Sequence, residues 1–338
     1  MRPASLPPGT PGKRTLWHSA GPSLHCEDAV TAPGRKHALL RADIALPFLL
    51  VALIWGSTWF VIKDQLAAAP PSWSVTYRFA IAAAGMFALA AYTGSRFRMT
   101  AKGHLLALTI GLTQFCLNFN LVYRAEIHLT SGIVAVLFGL LMLPNAVFGR
   151  IFLGQEITRR FLTGSLIGLG GIALLLIHEA REAPPTGRVA LGILLTAAAI
   201  LSASTANILQ ASEKARKQPL LLLLAWAMLW GALIDAVFAW TVYGPPVFPQ
   251  NPRYWAGVAY LAMIGSVVTF PLYFRLIRDL GPGRAAYNGV LVPVVAMGIS
   301  TVFEDYRWSL LALTGGALAM AGMVVALRGR SAPMPGKT

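Results

Sequence analysis

The 338-residue chain is 56% hydrophobic, only 12% charged, and carries a formal net charge of +15. A soluble domain holds about 25% charged residues, so this composition excludes an ordinary water-soluble protein and makes lipid the solvent. The excess of Lys and Arg lies mostly in connections and tails, which argues for membrane topology over nucleic-acid binding. Two cysteines, Cys26 and Cys116, support neither a disulfide framework nor a metal site.

Residues 1–41 are rich in Pro, Gly and Ser and hold no apolar run long enough to insert. They are expected to form a disordered cytoplasmic tail without a signal peptide. A membrane-crossing helix needs about 20 apolar residues. Ten stretches qualify: Ile44–Ile62, Val75–Thr93, Leu105–Tyr123, Leu129–Phe148, Phe161–Ile177, Val189–Leu209, Leu220–Tyr243, Tyr254–Phe274, Ala285–Phe303 and Trp308–Leu327. The second carries Arg78 near its start, where the side-chain stem is expected to snorkel to the interface. Residues 329–338 form a short second tail.

Distributing the 28 Lys and Arg over alternate connections puts 21 on the side of both termini and 7 on the other. That asymmetry predicts cytoplasmic termini. The chain also repeats itself. Tyr123–Leu174 and Phe274–Val325 each open on an aromatic and an arginine, Tyr123-Arg124 or Phe274-Arg275. Each passes a glycine (Gly132, Gly283), a proline inside an apolar run (Pro144, Pro293) and an acid (Glu156, Glu304), then ends glycine-rich. The offset is 151 residues at both ends, 149 at the prolines and 148 at the acids. Ten spans divide into five plus five, residues 42–180 and 181–328, and an odd number per half sets the halves upside down to each other. Inverted repeats around a shared cavity are the physical basis of alternating access.

These residues resemble the EamA-like family of the drug/metabolite transporter superfamily. The likeness covers about Ile44 to Leu327: WGST at Trp55–Thr58, Arg78 after Pro70-Pro71, and the duplicated aromatic-Arg, proline and acid. It implies an all-α integral membrane protein of ten helices in two inverted five-helix repeats, inner-membrane location if the source is bacterial, and transport, often export, of small metabolites such as amino acids. Gln155-Glu156 and Phe303-Glu304 depart from the Gly-Glu usual there, and Asn118 and Asn120 depart in the third helix.

Intramembrane polar groups need partners or water. Asp235 is the acid set well inside a predicted span, either a proton-coupling carboxylate or one near the outer helix end, paired to Arg or reached by water. Trp55, Thr58, Gln114, Asn118, Asn207, Tyr273 and Tyr287 are the candidate substrate contacts, with interhelical hydrogen bonding and packing as the competing reading. Pro144 and Pro293 remove one backbone bond each at matching positions, as helix breaks or plain kinks. Glu156 and Glu304 are expected to pair with Arg159 or Arg160 and with Arg307. Trp73, Trp240, Trp255 and Trp308 fall at helix ends, as in an interfacial belt. Gly164, Gly168 and the glycine-rich tenth helix permit close backbone approach. GLGGIA at Gly168 follows no strand and is no nucleotide loop.

The reading is a secondary transporter, an exporter of small polar or amphipathic metabolites. Its partners are metabolite, lipid and a coupled proton, with no nucleic acid, cofactor, metal or catalysis. The rivals are a non-transporting scaffold or receptor and an intramembrane enzyme. HExxH, GxSxG and paired-aspartate motifs, which the enzyme needs, are missing from the sequence.

Overall fold

A computed structural model describes residues 42–95, 97–154, 156–182, 188–273 and 288–328. Tyr287 and both tails lie outside them. Among the described residues every regular element is helical: α1 (Ala42–Gln65), α2 (Pro71–Tyr92), α3 (Ala101–Ala125), α4 (Ser131–Leu153), α5 (Arg159–Glu182), α6 (Val189–Ala211), α7 (Leu220–Tyr243), α8 (Pro252–Tyr273), α9 (Asn288–Phe303) and α10 (Leu310–Arg328). The first eight are long and apolar enough to cross a membrane, and α9 and α10 hold shorter apolar helices.

Local chemistry sets the ends. Pro71 opens α2 at the first helical position, where its missing N–H costs nothing. Thr100 caps α3 by accepting from the Gly103 N–H at 3.1 Å. Gly154 (φ 66°) stops α4 in the left-handed region that glycine enters freely. Inside α4, Gly139–Leu141 tightens to a 3₁₀ turn just before Pro144, which cannot donate back to this stretch.

Two helices are widened rather than broken. Gly111–Asn118 of α3 and Tyr260–Val268 of α8 are π-helical. In α8 the Ser266 and Thr269 hydroxyls donate to carbonyls five residues back, Leu261 and Ile264. The two segments stand 149 to 150 residues apart, the spacing of the sequence repeat. Helices in π form are rare and tend to mark functional sites.

The packing repeats with the helices exchanged by five. α2 packs on α7, and α5 on α10; each pair joins equivalents. α3 packs on α7 as α8 packs on α2, and α4 on α6 as α9 on α1. In the α5–α10 pair the backbones touch. A Cβ at Gly164 would lie 2.2 Å from the Ala326 nitrogen, one at Gly171 2.2 Å from that of Ala319, and one at Gly322 2.2 Å from that of Gly168. His178 pins the end of this pair, its Nε2 3.0 Å from the Arg307 carbonyl and its Nδ1 3.1 Å from Ser309 Oγ.

Candidate functional site

Starting α2 at Pro71 rather than Val75 carries Arg78 two turns into the helix. It is 2% exposed, so the expected snorkelling does not occur. The guanidinium instead lies 4.4 Å from the Phe119 ring centre and 5.1 Å from that of Phe79. It interacts with the Tyr123 hydroxyl, which donates to Gln65 Oε1 at 2.9 Å. Arg78 Nε and Nη1 have no hydrogen-bond partner.

α8 closes on this cation through a residue without a side chain. A Cβ on Gly265 would meet Thr58 Cγ2 at 3.0 Å and Arg78 Nη2 at 3.8 Å. Trp55 Nε1 donates to the Gly265 carbonyl at 3.4 Å, and the Trp55 ring packs on Phe270 and Tyr273. Phe270 meets Phe115, and Phe115 meets Phe79. The structure therefore gathers Trp55, Thr58 and Tyr273 around Gly265, next to Arg78. Gln114 and Asn118 are buried on the adjoining π segment, and Asn118 Oδ1 is unpartnered. Asn207 is bound differently: its Nδ2 donates to Asn145 Oδ1 at 3.4 Å, beside Pro144. Thr205 is exposed on the outside of α6.

Asp235 is fully buried between α2, α3 and α7. Oδ2 accepts from Thr76 Oγ1 at 3.1 Å, and Oδ1 from Asn120 Nδ2 and from Cys116 Sγ at 3.9 Å. The network continues outward. Asn120 Oδ1 accepts from Ser72 Oγ at 2.5 Å and Arg124 Nη1 at 3.1 Å. Arg124 Nη2 donates to the Tyr243 hydroxyl at 3.2 Å, on a residue 38% exposed. Arg124 thus reaches Asp235 through Asn120, and the direct Arg pair of the alternative reading is not formed.

A second polar cluster sits where α1, α3, α4 and α9 end. Lys63 Nζ donates to the carbonyls of Glu126 and, at 2.8 Å, Leu129. The Glu126 carboxylate is buried with both oxygens unpartnered. Burial raises its pKa well above the ordinary carboxylate value; Lys63 and Arg78 pull it back and Glu304 adds to the rise. Glu304 Oε2 accepts from the Ser131 N–H at 3.2 Å and from the Ser131 and Ser300 hydroxyls. It caps α4 from α9 and does not pair with Arg307, because the start of α4 offers free N–H groups closer at hand. Glu156 is exposed and forms no ion pair with Arg159 or Arg160, consistent with the small return on such pairs in water. Trp73 also departs from the belt: it is 4% exposed and stacks on Tyr77.

Neither cluster is built for a metal. Among the described residues no three His, Cys, Asp or Glu side chains are grouped to hold one. An apolar cleft of about 240 Å³ between α4, α5 and α6 has Thr196 as its polar residue, and that hydroxyl is spent on the Gly192 carbonyl at 2.8 Å. It offers nothing to orient a polar solute.

The arrangement is a buried cation walled by aromatics, and separately a buried acid wired to the surface. The family model of the EamA-like transporter family matches residues 43–177 and again 190–328. The chain belongs to the EamA-like transporter family. It is a multi-pass protein of the plasma membrane, and its family is one of transporters. An uncharacterized inner membrane transporter of Escherichia coli, YedA, is 28% identical over 264 residues, covering 74% of this chain and 79% of its own. A probable amino-acid metabolite efflux pump of the same species is 26% identical over 294 residues, covering 82% and 92%. A solved crystal structure shares the fold at TM-score 0.63 and 19% identity, over 85% of this chain and 96% of the other.

Proposed function

We propose that the chain exports small polar or amphipathic metabolites, amino acids among them, by alternating access. In this reading residues 42–180 and 181–328 are inverted five-helix halves, both termini are cytoplasmic, and no covalent chemistry is performed. The observation that carries it is the exchange of packing partners: α3–α7 answers α8–α2, and α4–α6 answers α9–α1. Two halves that can trade conformations give two states of similar energy, which alternating access requires. The names of two relatives, a probable amino-acid metabolite efflux pump and a probable terminal-alkyne amino-acid exporter, support this substrate class and direction.

The coupled ion in this reading is a proton held on Asp235. Its ligands come from α2 and α3 of one half while the acid belongs to α7 of the other. Motion between halves therefore changes how well the carboxylate is solvated and bonded. Asn120, Arg124 and Tyr243 give it a hydrogen-bonded route outward. Pro144 and Pro293 serve as the matched helix breaks, and Trp55, Thr58, Gln114, Asn118, Asn207, Tyr273 and Tyr287 as substrate contacts.

The test uses purified protein in proteoliposomes with the twenty amino acids as probes. Wild type is expected to show counterflow and pH-gradient-driven flux of at least one of them. Asp235→Asn should lose the driven flux and keep counterflow. Driven flux that survives Asp235→Asn with unchanged pH dependence removes the proton assignment. Folded protein that moves none of the twenty overturns amino-acid export.

A further inference from the structure

Arginine cannot shed its charge at any accessible pH. A charge buried in a membrane protein is costly and calls for a partner. Arg78 is such a charge, yet Nε and Nη1 donate to nothing. The acids of the two polar clusters do not complete it. Asp235 is occupied by Thr76, Asn120 and Cys116. Glu304 places Oε2 on Ser131 and Ser300. Glu126 acts on Arg78 at a distance without an ion pair.

We propose that Arg78 is the anion anchor of the transport site, its unused guanidinium donors taking the carboxylate of the substrate. The proposal rests on the transport reading above and narrows it to carboxylate-bearing metabolites. Three features favour this ligand. The guanidinium lies over the Phe119 and Phe79 rings, which restrains it, and its Nε and Nη1 are free. The aromatics that run from Phe79 through Phe115 and Phe270 to Trp55 suit an apolar substituent. Asn118, next to Phe119 in the chain, keeps a free carbonyl oxygen of the kind an ammonium group binds. A zwitterion has complements for both ends here. The site also joins α2 and α3 of one half to α8 of the other, so occupancy bears on how the halves sit together.

The experiment compares the twenty amino acids with their α-carboxamides, by thermal shift in detergent and by counterflow in proteoliposomes. Wild type should prefer an acid over its amide by about 10- to 100-fold, the range of a hydrogen bond to a charged group. Arg78→Gln should bring acid and amide level, and Arg78→Lys should retain part of the preference. Equal handling of acid and amide by wild type overturns the assignment and leaves transport standing. So does an acid preference that survives in Arg78→Gln. Where Arg78→Gln does not fold, the wild-type comparison and Arg78→Lys decide. Counterflow of no acid and no amide by folded protein removes amino-acid export, and this proposal with it.

Discussion

At the scale of single residues, the informative groups are those whose bonding is incomplete. Glu126 has a fully buried carboxylate without a hydrogen bond, opposed by a lysine whose ammonium is already committed to two carbonyls. Because burial raises its pKa above the ordinary 4.5, the folded chain keeps this proton to higher pH than the unfolded chain does. Stability from this group is complete below about pH 4.5 and declines as pH climbs towards the raised value, since the folded state must then bury a charge. Glu126→Gln should flatten that decline and stabilise the protein at neutral pH by on the order of 1 kcal/mol. Lys63 keeps its carbonyl partners in that variant. Thermal unfolding of both forms across pH 4 to 8 checks this; a steeper decline in the variant contradicts it. The sequence made Asp235, Trp55, Thr58 and Tyr273 visible because a polar or aromatic residue inside an apolar run is conspicuous. Arg78 reads as interfacial, and Lys63, Gln65 and Glu126 do not stand out, because polar residues near the edge of an apolar run look like loop or interface. Pro70-Pro71 held a usable signal, since proline at a first helical position starts a helix and so pushes Arg78 inward.

At the scale of elements, small residues decide how near two helices come. The run from Gly164 to Gly171 announces close packing in the sequence, but which glycines bear it depends on the rotation of the helix. Gly164 and Gly171 face the α10 backbone, a Cβ on Gly168 would be in ordinary contact 3.8 Å from the Ala319 carbonyl, and Gly170 faces open space. Gly164→Ala and Gly171→Ala should each cost about 1–3 kcal/mol through forced separation of α5 and α10. Gly170→Ala should be neutral or slightly stabilising, because alanine is the better helix former. Folded yield and melting temperature of the three variants separate the cases; equal losses at all three remove the close-packing account. The π segments were not legible. Nothing in GLTQFCLN or YLAMIGSVV breaks an α-helical pattern, and the extra residue per turn is set by packing against α7 and α2. Proline at 144 was legible, and the 3₁₀ turn before it is the local response to the missing donor.

At the scale of the whole molecule, the repeat in sequence and the exchange in packing are two views of one duplication. The repeat was readable because Arg124 and Arg275, Pro144 and Pro293, and Glu156 and Glu304 recur at a near-constant offset. The partner exchange was not, because which helix meets which is decided by tertiary fit. The orientation of each half is a separate matter with its own physics. Lys and Arg near span ends resist translocation, and in the proposed topology the connections after α2, α4 and α6 fall with the termini. Five spans per half, as proposed, would invert the second against the first. Reporter fusions after Arg98, Arg160 and Lys217 should report the cytoplasm, and fusions after Arg188 and Arg253 the opposite side. From Arg160 onward the points alternate along the chain, so one missed or added span reverses every reading beyond it. A cytoplasmic signal after Arg188 with the opposite-side signal after Lys217 would set the two halves parallel, and swapping conformations between parallel halves does not reverse the side on which a shared site opens.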